Sequence, residues 1–332
     1  MYDKNMVNEF LQLFILGVNG DSIGENPNIQ YCLKNNLGGI IFFTQNIITE
    51  NRFKNFVNDL KKVNNSKLFL SIDQEGGRVE RTENIHGGKK YKSPAVIFSE
   101  GVQALERQTY DIAGELRNYG LNMNFAPVAD VNSNPQNPII GERAFSSNTK
   151  EVSDCVNLVA KTYLKSGIIP VLKHFPGHGD TSVDSHLSLP VVDMEFKKFE
   201  NIHIKPFIDN LWAPAVMVSH VHYKMFDTEE TPATMSQNVI QNYLIKKLNY
   251  QGIIISDDMV MGALDKIEPP ERIIRGLLAG LSMFIYRNSN DDTIDVIEQT
   301  AKEVQKSKFL SARVDEACQR IDKIKKLVNN IC

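Results

Sequence analysis

Residues 252–259 read Gly-Ile-Ile-Ile-Ser-Asp-Asp-Met, a β-branched apolar run that stops abruptly at two carboxylates, Asp257 and Asp258. Three consecutive isoleucines favour extended backbone, and the lack of polar alternation calls for a strand covered on both faces, as in parallel sheets packed by helices. The pattern recurs. Leu13–Leu16, Gly39–Phe43, Leu68–Asp73, Met123–Asp130, Ile169–Phe175, Ala215–Val221 and Ser282–Tyr286 are equally short, so the sequence predicts eight strands, the seventh at Gly252–Asp258. Between the second and third, Phe53, Phe56, Val57, Leu60 and Val63 form the i, i+3, i+4, i+7 stripe of an amphipathic helix. Similar stripes run through Ile112–Leu116, Val156–Leu164, Val239–Leu248 and Ile273–Leu278, and helices over 291–330 follow the eighth strand. Alternating strands and helices in this number predict an α/β fold, a single (β/α)8 barrel over 1–332 with its active site at the C-terminal ends of the strands. An open doubly wound sheet is the alternative, but no G-x-G-x-x-G follows the first strand.

Composition narrows the functional classes. The chain has 332 residues, 42% hydrophobic and 23% charged, which suits a folded globular protein. With 37 Lys and Arg against 40 Asp and Glu, and no basic run, it is not built for nucleic acid or a membrane surface. Cys32, Cys155, Cys318 and Cys332 form no CxxC pair, so neither a thiolate zinc site nor a disulfide framework is expected. The N-terminus has no basic n-region, and the apolar run Leu13–Val18 is too short for a signal segment or a membrane span. These features predict a cytoplasmic protein, and no long exposed heptad or apolar segment calls for more than a monomer.

Read toward their C-termini, five of the strands end in ionisable groups: Asp73, Asp130, Lys173-His174, His220 and Asp257-Asp258. Folding does not require charges there, because a carboxylate beside a core is costly unless paired. Their convergence on one barrel face points to a functional cleft. After the fifth strand comes Lys173-His-Phe-Pro-Gly-His-Gly-Asp-Thr-Ser-Val-Asp-Ser-His186, kept irregular by Pro176, Gly177 and Gly179. His174, His178, Asp180 and His186 are conceivable metal ligands, yet their spacing lacks the helical register of a zinc motif. Acid/base chemistry fits better: Asp184 and His186 can pair, the carboxylate orienting the ring and raising its basicity. On the seventh strand neighbouring side chains alternate, so at most one of Asp257 and Asp258 should face the axis, the other pairing with backbone or a neighbouring helix. One axial carboxylate opposite a His acid is half of a double-displacement glycosidase. The turn Asp73-Gln-Glu-Gly-Gly-Arg-Val-Glu-Arg81 adds a carboxylate for sugar hydroxyls and two arginines, with a Glu75–Arg78 pair as its structural alternative.

Together, Asp73–Arg81, Asn124–Pro135 with Ile140–Phe145, Lys173–His186 and Ser256–Met261 resemble glycoside hydrolase family 3, in particular its bacterial β-N-acetylglucosaminidase branch. The resemblance extends in order from about Phe14 to Leu281. It implies Asp257 as the nucleophile, His186 as the acid/base and Asp184 as its partner. Asp73, Arg81, Arg143, Lys173 and His174 match positions that bind terminal N-acetylglucosamine. It implies removal of β-linked GlcNAc from cell-wall muropeptide fragments in peptidoglycan recycling, with no metal or organic cofactor. A GlcNAc phosphorylase, a broad β-glycosidase and an inactive sugar-binding barrel are the alternatives. Three departures stand out: His86-Gly-Gly-Lys-Lys-Tyr91 in the 83–93 loop, Ser282 where the family commonly has Asp, and no second α/β domain before Cys332.

Overall fold

In the computed structural model, which describes residues 4–63, 68–181 and 188–331, the apolar runs pair in parallel in chain order and close into a barrel. The strands are β1 (Phe14–Gly17), β2 (Gly39–Phe42), β3 (Phe69–Ile72), β4 (Met123–Asn124), β5 (Ile169–Phe175), β6 (Ala215–Val218), β7 (Ile253–Asp258) and β8 (Met283–Tyr286). Closure is made by β1 on β8, with Phe14 opposite Phe284. Burial on both faces explains the isoleucine run: Ile253, Ile254 and Ile255 are each fully buried.

The outer layer follows the amphipathic stripes. In the helix Glu50–Val63, Phe53, Phe56, Val57 and Leu60 are buried, and Phe53 and Phe56 pack edge-on against Phe42 of β2. Thr149–Lys165 begins at Asn148, whose side chain accepts from the N–H groups of Lys150 and Glu151. Pro269–Ala279 ends at Gly280, whose φ of +111° is open to glycine and strained for other residues. The expected helix over 239–248 winds instead as a π-helix, Asn238–Lys247, that still buries Val239, Ile240, Tyr243 and Leu244. The expected C-terminal helices are Asp291–Gln305 and Lys308–Ile331. Among the described residues no helix is long and apolar enough to cross a membrane.

Two strands are shorter than the sequence predicts. The run Met123–Asp130 is regular only over Met123–Asn124, because Pro127 has no N–H for the ladder. The chain nevertheless stays beside β5, with Lys173 N–H donating to Pro127 O and Ala129 N–H to Lys173 O. The run Ala215–Val221 leaves the barrel after Val218 and changes partners. His222 N–H donates to Pro190 O, and His222–Tyr223 pairs with Val191–Val192 in a two-stranded ribbon that the sequence did not announce.

Candidate active site

A cavity of about 240 Å³ opens where the C-terminal ends of the strands converge. It is smaller than the ~300–1,000 Å³ typical of drug-sized ligand sites and suits a small polar molecule. Asp73, Arg81, Arg143, Lys173, His174 and Asp257 all line it. Asp184 and His186 lie outside the described residues.

One wall is a lattice of side-chain charges. Lys173, 2% exposed, reaches Asp73 Oδ1 at 2.6 Å and Glu75 Oε1 at 2.5 Å. Arg143 grips Glu75 with two parallel bonds, Nε to Oε2 and Nη2 to Oε1, each 2.8 Å. Burial would push the Glu75 carboxyl up, but the charges and hydrogen bonds of Arg143 and Lys173 hold it well below the usual carboxylate range. Glu75 therefore does not pair with Arg78, the alternative read from the sequence. Arg78 donates to the carbonyls of Pro138 and Ile139 instead. The partners of Glu75 lie 68 and 98 residues away, separations that no local pattern discloses.

Asp130 supports this wall from beneath. Fully buried at the end of the fourth apolar run, it accepts from the Nδ1 of His174 at 2.7 Å and from the backbone N–H of His178 at 2.7 Å. An ionised carboxylate can only accept, so Nδ1 of His174 carries the proton and Nε2, 3.4 Å from Arg143 Nη2, is the acceptor. Burial raises the Asp130 carboxyl, and His174 and the His178 N–H bring it below its ordinary value. His178 is itself pushed down to about 4 by burial and by His174, so it is neutral near pH 7. Its Nδ1 is 2.9 Å from Thr181 Oγ1. Both imidazoles thus have protein partners, and among the described residues no cluster of three His, Cys, Asp or Glu side chains could hold a metal ion.

Arg81 is different. Its guanidinium lies 5.7 Å from the Phe43 ring centroid, and its buried Nε has no hydrogen-bond partner among the described residues. A buried donor left unmatched beside a cavity is available to a ligand oxygen.

The opposite wall carries both Asp257 and Asp258, against the alternation that the sequence predicts. The ladder between β7 and β8 changes register, Met283 facing Ile255 and Ile285 facing Asp258, so Ser256 and Asp257 of β7 stand against Phe284 alone. Such a bulge re-aims side chains, and here it brings both carboxylates to the cavity. Asp258 is nevertheless the paired one. Its carboxylate meets Arg287 Nε and accepts from the N–H groups of Val260 and Arg287. The partner comes from the end of β8, not from a helix. Burial raises the Asp258 carboxyl, with Arg287 opposing. For Asp257 the balance reverses: burial raises it, but His174, His220, the Asp258 N–H and Lys173 bring it below the ordinary range.

The sequence outliers have structural accounts. Ser282 is buried at the entry to β8, and its Oγ accepts from Ile254 N–H at 3.2 Å. In the 83–93 loop, Tyr91 OH donates to Glu115 at 2.7 Å and Gly77 N–H donates to Tyr91 O at 2.8 Å, bracing the turn that carries Glu75. Met259 packs in the core, whereas Met261 lines the cavity.

Residues 12–324 match the family described as the glycosyl hydrolase family 3 N-terminal domain. "Beta-hexosaminidase A" of Pseudoalteromonas piscicida is 32% identical, over 87% of this chain and 53% of its own length. "Beta-hexosaminidase" of Methylococcus capsulatus is also 32% identical, over 79% of this chain and 78% of its own. Among solved structures, a glycoside hydrolase family 3 β-N-acetylglucosaminidase from Paenibacillus sp. str. FPU-7 has a TM-score of 0.90 at 29% identity, covering 99% of this chain and 63% of that one. The chain thus spans about half of the first relative and less than two thirds of the Paenibacillus structure. A family match over nearly the whole sequence, on a barrel whose strand ends gather the motif residues, places this chain in glycosyl hydrolase family 3.

Proposed function

We propose that the chain is a retaining exo-β-N-acetylhexosaminidase that removes terminal β-linked GlcNAc from cell-wall muropeptide fragments. The observation that carries this reading is Asp257, a carboxylate at the end of β7 that faces the charged wall of a sugar-sized cavity, its pKa held below the ordinary range. An ionised carboxylate cannot act as the acid; of the two roles left, base or nucleophile, the motif resemblance assigns Asp257 that of nucleophile. Asp257 attacks the anomeric carbon and the glycosidic C–O bond breaks. The leaving oxygen takes a proton from His186, oriented by Asp184, the pair that the motif resemblance supplies. In the second step His186 takes a proton from water, which attacks the anomeric carbon and displaces Asp257.

Asp73, Lys173, His174, Arg143 and Arg81 bind the sugar in this reading. Acceptors and donors alternate along that wall, the complement of vicinal hydroxyls and an N-acetyl group. The protein acts as a monomer in the bacterial cytosol, in peptidoglycan recycling, with no cofactor and no nucleic-acid or membrane partner. The names of the two relatives support a hexosaminide substrate, and the β-N-acetylglucosaminidase from Paenibacillus supports the GlcNAc preference.

The test is nitrophenol release from aryl β-GlcNAc and aryl β-glucoside side by side, with and without phosphate, followed by a muropeptide carrying terminal GlcNAc. Preference for the GlcNAc glycosides, with free GlcNAc as product, is expected. Preference for the glucoside would make the protein a broad β-glycosidase, and a phosphate-dependent sugar-1-phosphate would make it a phosphorylase. No turnover of any of the three would leave the sugar-binding barrel.

A further inference from the structure

His220 stands at the end of the sixth apolar run and has no part in the chemistry above. It is fully buried, as is Thr234 beside it. Its Nδ1 is 2.8 Å from Thr234 Oγ1 and its Nε2 is 3.0 Å from the backbone carbonyl of Asp258. A carbonyl only accepts, so Nε2 carries a hydrogen. In a neutral ring Nδ1 is then the acceptor and the Thr234 hydroxyl the donor, which fixes the tautomer. Burial favours that neutral ring.

The residue that His220 grips is held on every side. The N–H of Asp258 donates to Asp257 Oδ1 at 2.8 Å. Its carboxylate is taken by Arg287 and the Val260 N–H. The next residue is pinned too: Met259 N–H donates to Ile285 O, and Met259 O accepts from Arg272 Nη1 at 2.8 Å. The Asp258 carbonyl accepts from the Met261 N–H at 3.1 Å, and His220 adds to it a side-chain donor from the end of the sixth apolar run.

We propose that His220 is a positioning residue for the nucleophile: by locking the Asp258 carbonyl it keeps the Asp258 N–H on Asp257 Oδ1 and leaves Oδ2 as the attacking atom. The proposal rests on the reading of Asp257 as nucleophile. It assigns Asp258 the role of a bracket, not of a second carboxylate in the reaction. It also makes a prediction about pH. Asp257 is faced by Lys173 and His174 from β5, by His178 from the loop after it, by His220 and by the Asp258 carboxylate, and His220 is faced by Asp257, Asp258 and Arg272. Loosening the Asp258 N–H removes a donor to the ionised form, so the Asp257 pKa rises. Activity requires that carboxylate ionised, so the acid limb of kcat/KM moves to higher pH.

The experiment compares His220→Leu, His220→Gln, Thr234→Val and Asp257→Ala on aryl β-GlcNAc, measuring kcat, KM, the pH profile and Tm. His220→Leu is expected to lose about 10–100-fold in kcat, the scale of a misplaced reacting group, with KM within about twofold and the acid limb shifted upward. In His220→Gln the amide N–H donates to Asp258 O while the amide oxygen accepts from Thr234, so most of the lost rate and the normal limb return. Thr234→Val shows the same limb shift with a smaller rate loss, and stands in for His220→Leu should that protein not fold. A folded His220→Leu with the wild-type rate and limb overturns the proposal, as does a His220→Gln that falls as far as leucine, or an unshifted Thr234→Val. Active Asp257→Ala would instead overturn the nucleophile reading itself, which separates the two failures.

Discussion

The two walls of the cavity hold their carboxylates in opposite ways. At the ends of β3 to β5, Glu75 is fixed by side-chain cations that reach it from 68 and 98 residues further along, Arg143 and Lys173. At the end of β7, Asp257 is fixed by the adjacent backbone N–H, with charges acting from around it. The first arrangement spends its carboxylate: both oxygens of Glu75 are occupied, and the lattice neutralises itself. The second leaves one charged oxygen without a hydrogen bond among the described residues. A charge lattice makes a rigid template for a polar ligand, whereas a carboxylate braced through backbone keeps its reactivity.

Substitutions should separate the walls. Asp257→Ala carries the largest expected effect on rate, a loss of about 10³-fold or more in kcat with far-UV circular dichroism and Tm unchanged. Near-normal turnover would move the chemistry to Asp258. Glu75→Gln should do the reverse, striking the fold as well as the rate. It breaks the paired bonds to Arg143 and leaves Lys173 with Asp73 alone, and is expected to cost about 3–5 kcal/mol, read from urea unfolding. A variant as stable as the parent would mean that the lattice is not the structural core of its wall.

Linkage gives the same wall a pH signature. The carboxyl of Glu75 lies lower in the folded than in the unfolded chain, so its stabilisation is complete above the unfolded value of about 4.3 and is lost as pH falls from there toward the folded value. The protein should therefore lose stability on acidification below about pH 4, and Glu75→Gln should flatten that slope. Equal slopes in both proteins would remove Glu75 as the source.

Asp258→Asn comes next in size. It keeps an oxygen for the N–H groups of Val260 and Arg287 but loses the ionic bond to Arg287, for an expected kcat loss of about tenfold, corresponding to about 1.4 kcal/mol. A loss as deep as that of Asp257→Ala would return Asp258 to the reaction. The smallest effect belongs to His86→Ala in the 83–93 loop. The partly exposed His86–Glu115 contact should contribute under about 1 kcal/mol, with kcat within about twofold. A large rate loss there would extend the sugar wall outward to that loop.

The barrel was legible because each strand is short, apolar and closed by a polar end, and because helical stripes intervene. Local sequence misled where backbone chemistry intervened. Pro127 interrupts the ladder of the fourth run, and the bulge between β7 and β8 places Asp257 and Asp258 on the same side. The strand ends converge as the sequence predicts, Asp73, Lys173, His174 and Asp257 lining one cavity. What they could not disclose was pairing. Lys173 and Asp73 are 100 residues apart, and Arg143 finds Glu75 through closure of the barrel, not through spacing. Arg287 carried no motif at all; only its place after β8 marked it. Asp184 and His186 remain readings of the motif, and their test is the leaving group: His186→Ala should slow poor leaving groups far more than activated aryl glycosides, and equal loss on both would contradict the acid role.

The most direct test of the central claim is to locate the covalent intermediate. The protein would be incubated with an activated fluoro-sugar analogue of GlcNAc, digested and mapped by mass spectrometry. The account predicts one sugar adduct, on the peptide containing Ser256-Asp257-Asp258, with fragmentation placing it on Asp257 and Asp257→Ala abolishing it. An adduct on Asp258 or Glu75, or turnover that yields the inverted anomer with no adduct, would contradict it.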